Sequence, residues 1–391
     1  MQLVLLSGGS GKRLCPLSNN VRSKQFLPLL EKEDGTIESM VQRVVRQAKA
    51  AGLTNAITLA TNTSQLDIIT NQLGDTVSVV TEPECRDTFP AIALAASYLH
   101  FAKCCADDEV IVIMPCDPYT EADYFETIGK MVECVKRDVA ELVLMGITPT
   151  YPSEKYGYVM PIASDNEYKM VSYFTEKPTV ERAKELLAEN AYWNGGVFAF
   201  RLGYMMNIVK KYIALNSFED TRNRYSELPK ISFDYEVAEK AESVAVVPFA
   251  GEWKDLGTWN TLTNELHKSV FGNAVMGAHC ENTYVINEFQ NPIYVNGLKD
   301  VLVAACPDGI LVCSKTHLEE IKKAVENLIS RPMRRWGIYR VLDDSTYEGG
   351  QHSFTKSITL NSGKNISYRF ITTVQRFGLS YKAKVFLSLM A

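Results

Sequence analysis

The stretch "LVLLSGGSGKRLCPLSNN", residues 3–20, decides how the chain is read. Four apolar residues, Leu3 to Leu6, run into a loop with Gly8, Gly9, Gly11, Ser7, Ser10 and the adjacent cations Lys12 and Arg13. Glycines let backbone N–H groups approach anionic oxygens, and Arg13 adds a planar fork suited to phosphate. Two well-known phosphate loops fail by counting. A P-loop needs glycine five places before Gly11, where Leu6 stands, and a hydroxyl after Lys12, where Arg13 stands. A dinucleotide fingerprint starting at Gly9 needs a third glycine where Leu14 stands. Taken alone, the loop is equally compatible with an ordinary strand-to-helix turn carrying solvated cations.

Outward from the loop, short apolar runs recur at Ala56–Ala60, Val77–Val80, Val110–Met114 and Leu142–Ile147. Between the first two strands, Ile37, Met40, Val41, Val44, Val45 and Ala48 keep helical spacing up to Gly52. Pro90 is expected to open the Ala-rich helix that runs to Cys105. Uniformly apolar strands alternating with helices predict an α/β, Rossmann-like, mostly parallel sheet. Ligands then bind beyond the carboxyl ends of the strands, where the opening loop and "PCD" (115–117) both fall. Beyond about residue 150 the pattern loosens, as expected of an inserted substrate lid, and from Gly272 to Ser314 it is β-like and turn-rich.

Bulk properties narrow the classes. The chain has 391 residues, a net charge of −5 and 46% apolar residues, which suits a globular protein and not a general nucleic-acid binder. No run reaches the roughly 18 apolar residues of a membrane helix, and no signal peptide is evident. The nine cysteines include no C-x-x-C, and the five histidines are scattered. The thiols are therefore read as buried and reduced, in a cytoplasmic protein.

The company the loop keeps is more specific. "RLCPLSNNVRSKQFLPL" (13–29) resembles the signature of sugar-nucleotide pyrophosphorylases, and its "KQF" the bacterial mannose-1-phosphate guanylyltransferase branch. Seven further segments match in order: "TEPECRDTFPAIALAA" (81–96), "MPCDPY" (114–119), "PTYPSEKYGYV" (149–159), "FTEKP" (174–178), "YWNGGVFAF" (192–200), "SFDYEVAEK" (232–240) and "WKDLGTWNTL" (253–262). The likeness spans about residues 1–325.

The resemblance implies transfer of GMP from GTP to mannose 1-phosphate. The attack on the α-phosphorus is in line, with Mg²⁺ as cofactor and Arg13 and Lys24 as catalytic cations. It implies nucleotide contacts from Ser7, Gly8, Gly9, Ser10, Gly11, Lys12, Glu82, Arg86, Asp87 and Thr88. Sugar-phosphate contacts are implied for Gly157, Glu176, Lys177, Asn194 and Gly195, and metal ligation for Asp117 and Asp255. Tyr235 and Trp259 are read as core aromatics. The expected partners are the two substrates, with no nucleic acid and no membrane; a homodimer is left open.

Departures from the pattern are Lys12, Cys15 and Ser23, where the family usually has Thr, Trp and Pro. The expected layout is a catalytic domain at 1–268, a β-rich, β-helix-like region with a closing helix at 269–330, and a tail at 331–391. The tail (334–368) resembles the start of a cupin-like phosphomannose isomerase domain but brings only His352. A histidine metal cluster cannot be built from one ligand, so no isomerase activity is expected and the tail reads as incomplete. Two rival functions remain at this point: a pyrophosphorylase for another nucleotide and sugar 1-phosphate, or a non-catalytic nucleotide-sugar sensor.

Overall fold

The computed structural model describes residues 1–8, 14–19, 22–321, 337–346 and 352–360. The chain divides into two compact units, Met1–Pro332 and Met333–Ala391.

Nine strands build the main sheet of the first unit: β1 Gln2–Ser7, β2 Ile57–Asn62, β3 Ser78–Glu82, β4 Val110–Pro115, β5 Leu142–Ile147, β6 Tyr158–Pro161, β7 Lys169–Thr175, β8 Tyr192–Arg201 and β9 Val244–Phe249. Their order is β3-β2-β1-β4-β8-β5-β9-β7-β6. The apolar runs form its centre because both faces are covered: Leu3, Val4, Leu5, Val112 and Leu144 are fully buried. β1 pairs in parallel with β2 and β4, setting Leu5 beside Leu59 and Met114.

Helix α1 (Met40–Ala50) starts at a capping box in which Ser39 and Gln42 satisfy each other's backbone N–H groups. It buries Val41, Val44, Val45 and Ala48 on the same face as α4 (Ala122–Lys136). Between them in sequence come α2 (Leu66–Leu73) and α3 (Thr88–Ser97), and α3 covers the opposite face. α3 begins two residues before Pro90, since the Asp87 carboxylate accepts the Thr88 N–H and caps it there.

The expected lid is not separate. Residues 158–201 supply β6, β7 and β8, and β8 runs antiparallel between β4 and β5. Its register slips between Asn194 and Phe198, where Gly195 and Gly196 (φ +67°) lie, and its first two residues also pair with β6.

A short antiparallel ribbon pairs Pro118–Thr120 with Trp253–Asp255, bringing Asp255 opposite Pro118. Farther on, Val270–Gly272, Tyr284–Asn287 and Val301–Cys306 stack as parallel rungs, with Ala274–Met276 and Ile293–Val295 as a second parallel pair. Gly309–Ser314 closes this coil region antiparallel to Val301–Cys306. Of the closing helix expected in the region up to residue 330, the described part begins as a 3-10 segment, Lys315–Glu320. In the second unit, Gly337–Thr346 and His352–Leu360 pair as an antiparallel hairpin, and the rest of the tail lies outside the described residues.

All nine cysteines are free, but Cys85 and Cys104 are exposed, against the expectation of buried thiols.

Candidate active site

At the carboxyl end of β1 a buried polar network begins. The Ser7 hydroxyl donates to Gln65 Oε1 (3.0 Å) and accepts from Gln25 Nε2 (2.8 Å). Thr61 Oγ1 donates to the same Gln65 oxygen (2.6 Å), and Gln65 Nε2 donates to Ser23 Oγ (2.8 Å). Every member is buried, and such groups are stable only when satisfied. This explains two sequence features: Gln25 of "KQF" pegs the end of β1, and Ser23, in place of proline, accepts from Gln65. Ser7 is therefore a structural peg, Gly8 is exposed with open space where a Cβ would stand, and Gly9, Ser10, Gly11, Lys12 and Arg13 lie outside the described residues.

Beside that network stands the strongest electrostatic feature. Lys24 Nζ lies 2.9 Å from Asp117 Oδ2 and 2.6 Å from Asp255 Oδ1. Asp117 follows β4 and Asp255 ends the ribbon, so the sheet and ribbon together deliver both carboxylates to one point. Burial by itself would lower the Lys24 pKa, but the two carboxylates outweigh it and hold the ammonium well above its usual range. The trio keeps one net negative charge. Its donors are the hard oxygens of two carboxylates, which fit a divalent cation that takes its other ligands from water and phosphate.

A second cluster is formed where β6, β7 and β8 meet. Glu176 is nearly buried, and Lys177 Nζ meets its Oε1 at 2.8 Å. Lys177 adopts φ +45°, a conformation that costs a non-glycine residue about 1–2 kcal/mol and is retained mostly at functional sites. Gly157 backs onto them: a Cβ there would strike Glu176 Oε2 and lie 2.7 Å from Phe174 Cζ. Asn194 N–H donates to Gly157 O (2.8 Å), and Gly196 N–H donates to Asn194 Oδ1 (3.1 Å). Gly195 is confined in turn, since a Cβ would meet Ile147 at 3.1 Å.

Asn194 Nδ2 also donates to Asp234 Oδ1 (2.6 Å). Asp234 is a site residue that the sequence alone does not single out, although "SFDYEVAEK" contains it. Burial first, then the Glu176 charge, pushes its carboxyl up to about 6. The two clusters are joined by an aromatic chain: Trp193 contacts Tyr156 (4.9 Å), which contacts Trp253 (5.4 Å), two residues before Asp255.

The expected base-recognition segment is more structural than its residues suggest. Glu82 is buried at the end of β3 and accepts the Tyr225 hydroxyl (2.7 Å), and burial raises its carboxyl. Arg86 pairs with Glu84 (2.9 Å) and donates to Leu228 O (3.0 Å). Thr88 Oγ1 accepts the Phe233 N–H (2.8 Å), and Asp87, at φ +74°, caps α3. Trp259 is buried as expected and donates its indole N–H to Cys15 O (3.2 Å). Tyr235 is not a core aromatic: it is 39% exposed, because the π-type turn Asp234–Ala238 buries Val237 and Ala238 instead.

The nucleotidyl transferase family model matches residues 2–269. XanB, the xanthan biosynthesis protein of Xanthomonas campestris pv. campestris (strain B100), is 29% identical over 93% of this chain and 82% of its own length. The mannose-1-phosphate guanylyltransferase of Escherichia coli (strain K12) is 29% identical over the same shares. A crystal structure from Thermus thermophilus, described as mannose-1-phosphate geranyltransferase, has 28% identity and a TM-score of 0.66, covering 83% of this chain and 98% of its own. The α/β sheet, the paired carboxylates beyond its strand ends and the match over residues 2–269 agree: this chain belongs to the nucleotidyl transferase family and is a nucleotidyltransferase.

Proposed function

We propose that the chain transfers GMP from GTP to mannose 1-phosphate, giving GDP-mannose and pyrophosphate, with Mg²⁺ as its metal. The observation that carries the reaction class is the Lys24 ammonium seated between Asp117 and Asp255. The choice of substrates is supported by relatives named for mannose 1-phosphate and guanylyl transfer. The relatives named for xanthan and alginate biosynthesis support a role in polysaccharide precursor supply. Among the described residues no helix is long and apolar enough to cross a membrane, and the cytoplasm is the proposed compartment.

In the proposed reaction an oxygen of the sugar 1-phosphate forms a bond to the α-phosphorus of GTP. The α–β bridging bond breaks in line, and its electrons leave with pyrophosphate. The nucleophile is already anionic, so no residue needs to remove a proton. The difficulty is bringing one anion to another, and fixed positive charge lowers that barrier. Lys24 supplies one such charge, and Arg13 of the glycine loop is assigned the other. A bound Mg²⁺, held by Asp117 and Asp255, would screen the triphosphate oxygens.

On the sugar side, Glu176 accepts from the hydroxyls of mannose and Lys177 pairs the 1-phosphate. Gly157, Asn194 and Gly195 leave room for the ring against backbone. The segment carrying Glu82, Arg86, Asp87 and Thr88 is assigned to guanine, with the Glu82 oxygen not engaged by Tyr225 as an acceptor. A homodimer is the proposed assembly, which light scattering checks.

The reading is tested by pyrophosphate release from mannose 1-phosphate with each of GTP, UTP, dTTP, CTP and ATP. Release with GTP alone, lost in Asp117→Ala, is expected. Release with a different triphosphate, or only when another sugar 1-phosphate replaces mannose 1-phosphate, overturns the substrate pair and leaves the nucleotidyl transfer in place; release with none of these combinations favours a sensor.

A further inference from the structure

The segment between the glycine loop and Lys24 is gripped by the coil region. Its described residues make two local pairs of hydrogen bonds. Leu14 N–H donates to Ser18 Oγ (3.1 Å) while Ser18 N–H donates back to Leu14 O (3.1 Å). Asn19 N–H donates to Arg22 O (2.9 Å), and Arg22 N–H donates to Asn19 Oδ1 (2.8 Å).

Each pair is then tied to residues far along the chain. Asn19 Nδ2 donates to Asp308 Oδ2 (2.7 Å), in the connection between the strands Val301–Cys306 and Gly309–Ser314. Arg22 grips both oxygens of Glu288, at 2.9 and 2.6 Å, just after Tyr284–Asn287. Cys306 Sγ lies 3.2 Å from Pro16 O. Beneath these contacts Leu14, Leu17 and Leu27 share one apolar cluster with Ile286, Leu302 and Leu318. The amide of Asn19 thus closes its own local pair with one end and reaches the coil with the other.

We propose that Asp308 and Glu288 are positioning residues for nucleotidyl transfer: the coil region holds residues 14–19 and 22, and through them the chain that leads from the glycine loop to Lys24. The inference rests on the proposed function for its kinetic readout, but not for its structural one. Asp308 acts through a part-buried, charge-assisted bond to a nearly buried amide, so its loss outweighs that of the more exposed Glu288 pair. Neither acid lies near the Glu176 cluster in sequence or in any described contact, so the effect falls on the triphosphate and not on the sugar 1-phosphate.

The test uses the full chain and the variants Asp308→Ala, Asp308→Asn, Arg22→Glu, Glu288→Arg and the double reversal. Steady-state kinetics, melting temperature and hydrogen exchange of peptides covering 14–24 are read together. Asp308→Ala is expected to raise the triphosphate KM about tenfold, with the sugar 1-phosphate KM within about twofold. Exchange should quicken in 14–24 and stay unchanged in β4 and β8. Asp308→Asn, which keeps an acceptor oxygen, is expected to recover most of the loss, and the double reversal to recover what each single reversal loses.

Unchanged exchange in 14–24 with an unchanged triphosphate KM overturns the proposal. So does a loss of protection spread evenly over the chain with both KM values moving together, which is a merely structural effect. If the wild type turns over no triphosphate, the proposed function fails, and hydrogen exchange together with the Asp308→Asn recovery still decides this inference.

Discussion

The two charged clusters of the catalytic unit are built on opposite principles. Lys24, Asp117 and Asp255 come from three distant segments, 231 residues apart in the case of Lys24 and Asp255, and meet as a tight ion trio. Glu176 and Lys177 are neighbours in sequence, closed off by Gly157 and by Asn194 on Asp234. The first is one charge net negative, which suits a divalent cation that brings phosphate oxygens to it. The second offers a buried acceptor and a half-exposed cation, which suits reading hydroxyls beside a phosphate. Substitutions in the first should therefore act on turnover, and those in the second on sugar affinity.

The largest effect is expected at the trio. Lys24→Ala removes the cation and leaves two carboxylates facing each other, and kcat should fall on the order of 10³-fold with the mannose 1-phosphate KM little changed. A raised KM at unchanged kcat would break the contrast. Glu176→Gln should instead raise the mannose 1-phosphate KM by about 10- to 100-fold, through loss of charge-assisted hydrogen bonds, with a smaller change in kcat. Gly157→Ala sharpens the same point without altering a charge. Its methyl group must displace Glu176 or Phe174, so the sugar KM should rise about tenfold while the GTP KM holds.

Smallest is a pH effect on stability. The folded-state carboxyl of Asp234 titrates near 6, above its ordinary 3.8, so the folded state binds this proton more tightly than the unfolded one. The stabilisation from that proton is fully present below about 4 and is lost as pH rises through about 6, a change on the order of 3 kcal/mol. Asp234→Asn should flatten that part of the melting-temperature profile, because Asn194 Nδ2 can still donate to the new amide oxygen. An unchanged slope would detach Asp234 from the Glu176 field.

The same contrast explains why some parts of the molecule are legible in the sequence and others are not. Strands such as Leu142–Ile147 declare themselves because a fully buried strand must be apolar along its whole length. By its residues alone Glu176–Lys177 is an ordinary solvated pair, and each member of the trio a solvated charge or a turn residue; the family resemblance singles out all five. What the resemblance leaves out is that Asp117 and Asp255 close on Lys24 itself, which follows from the sheet order and the ribbon. The insertion of β8 between β4 and β5 is equally hidden, since an apolar segment does not state its neighbours. Tyr235 misleads because the π-type turn shifts the helical face, and Asp234 is overlooked because its partners, Asn194 and Glu176, come from other elements. The grip of Asp308 on Asn19 spans 289 residues and leaves no local signal at all.

The central claim is that Asp117 and Asp255 hold the metal on which turnover depends. The most direct test is kcat against Mg²⁺ concentration for the wild type, Asp117→Asn and Asp255→Asn, at saturating GTP and mannose 1-phosphate. The account predicts that both variants need far more Mg²⁺ for half-maximal rate and reach a much lower plateau. An unchanged half-maximal Mg²⁺ concentration in either variant would contradict it.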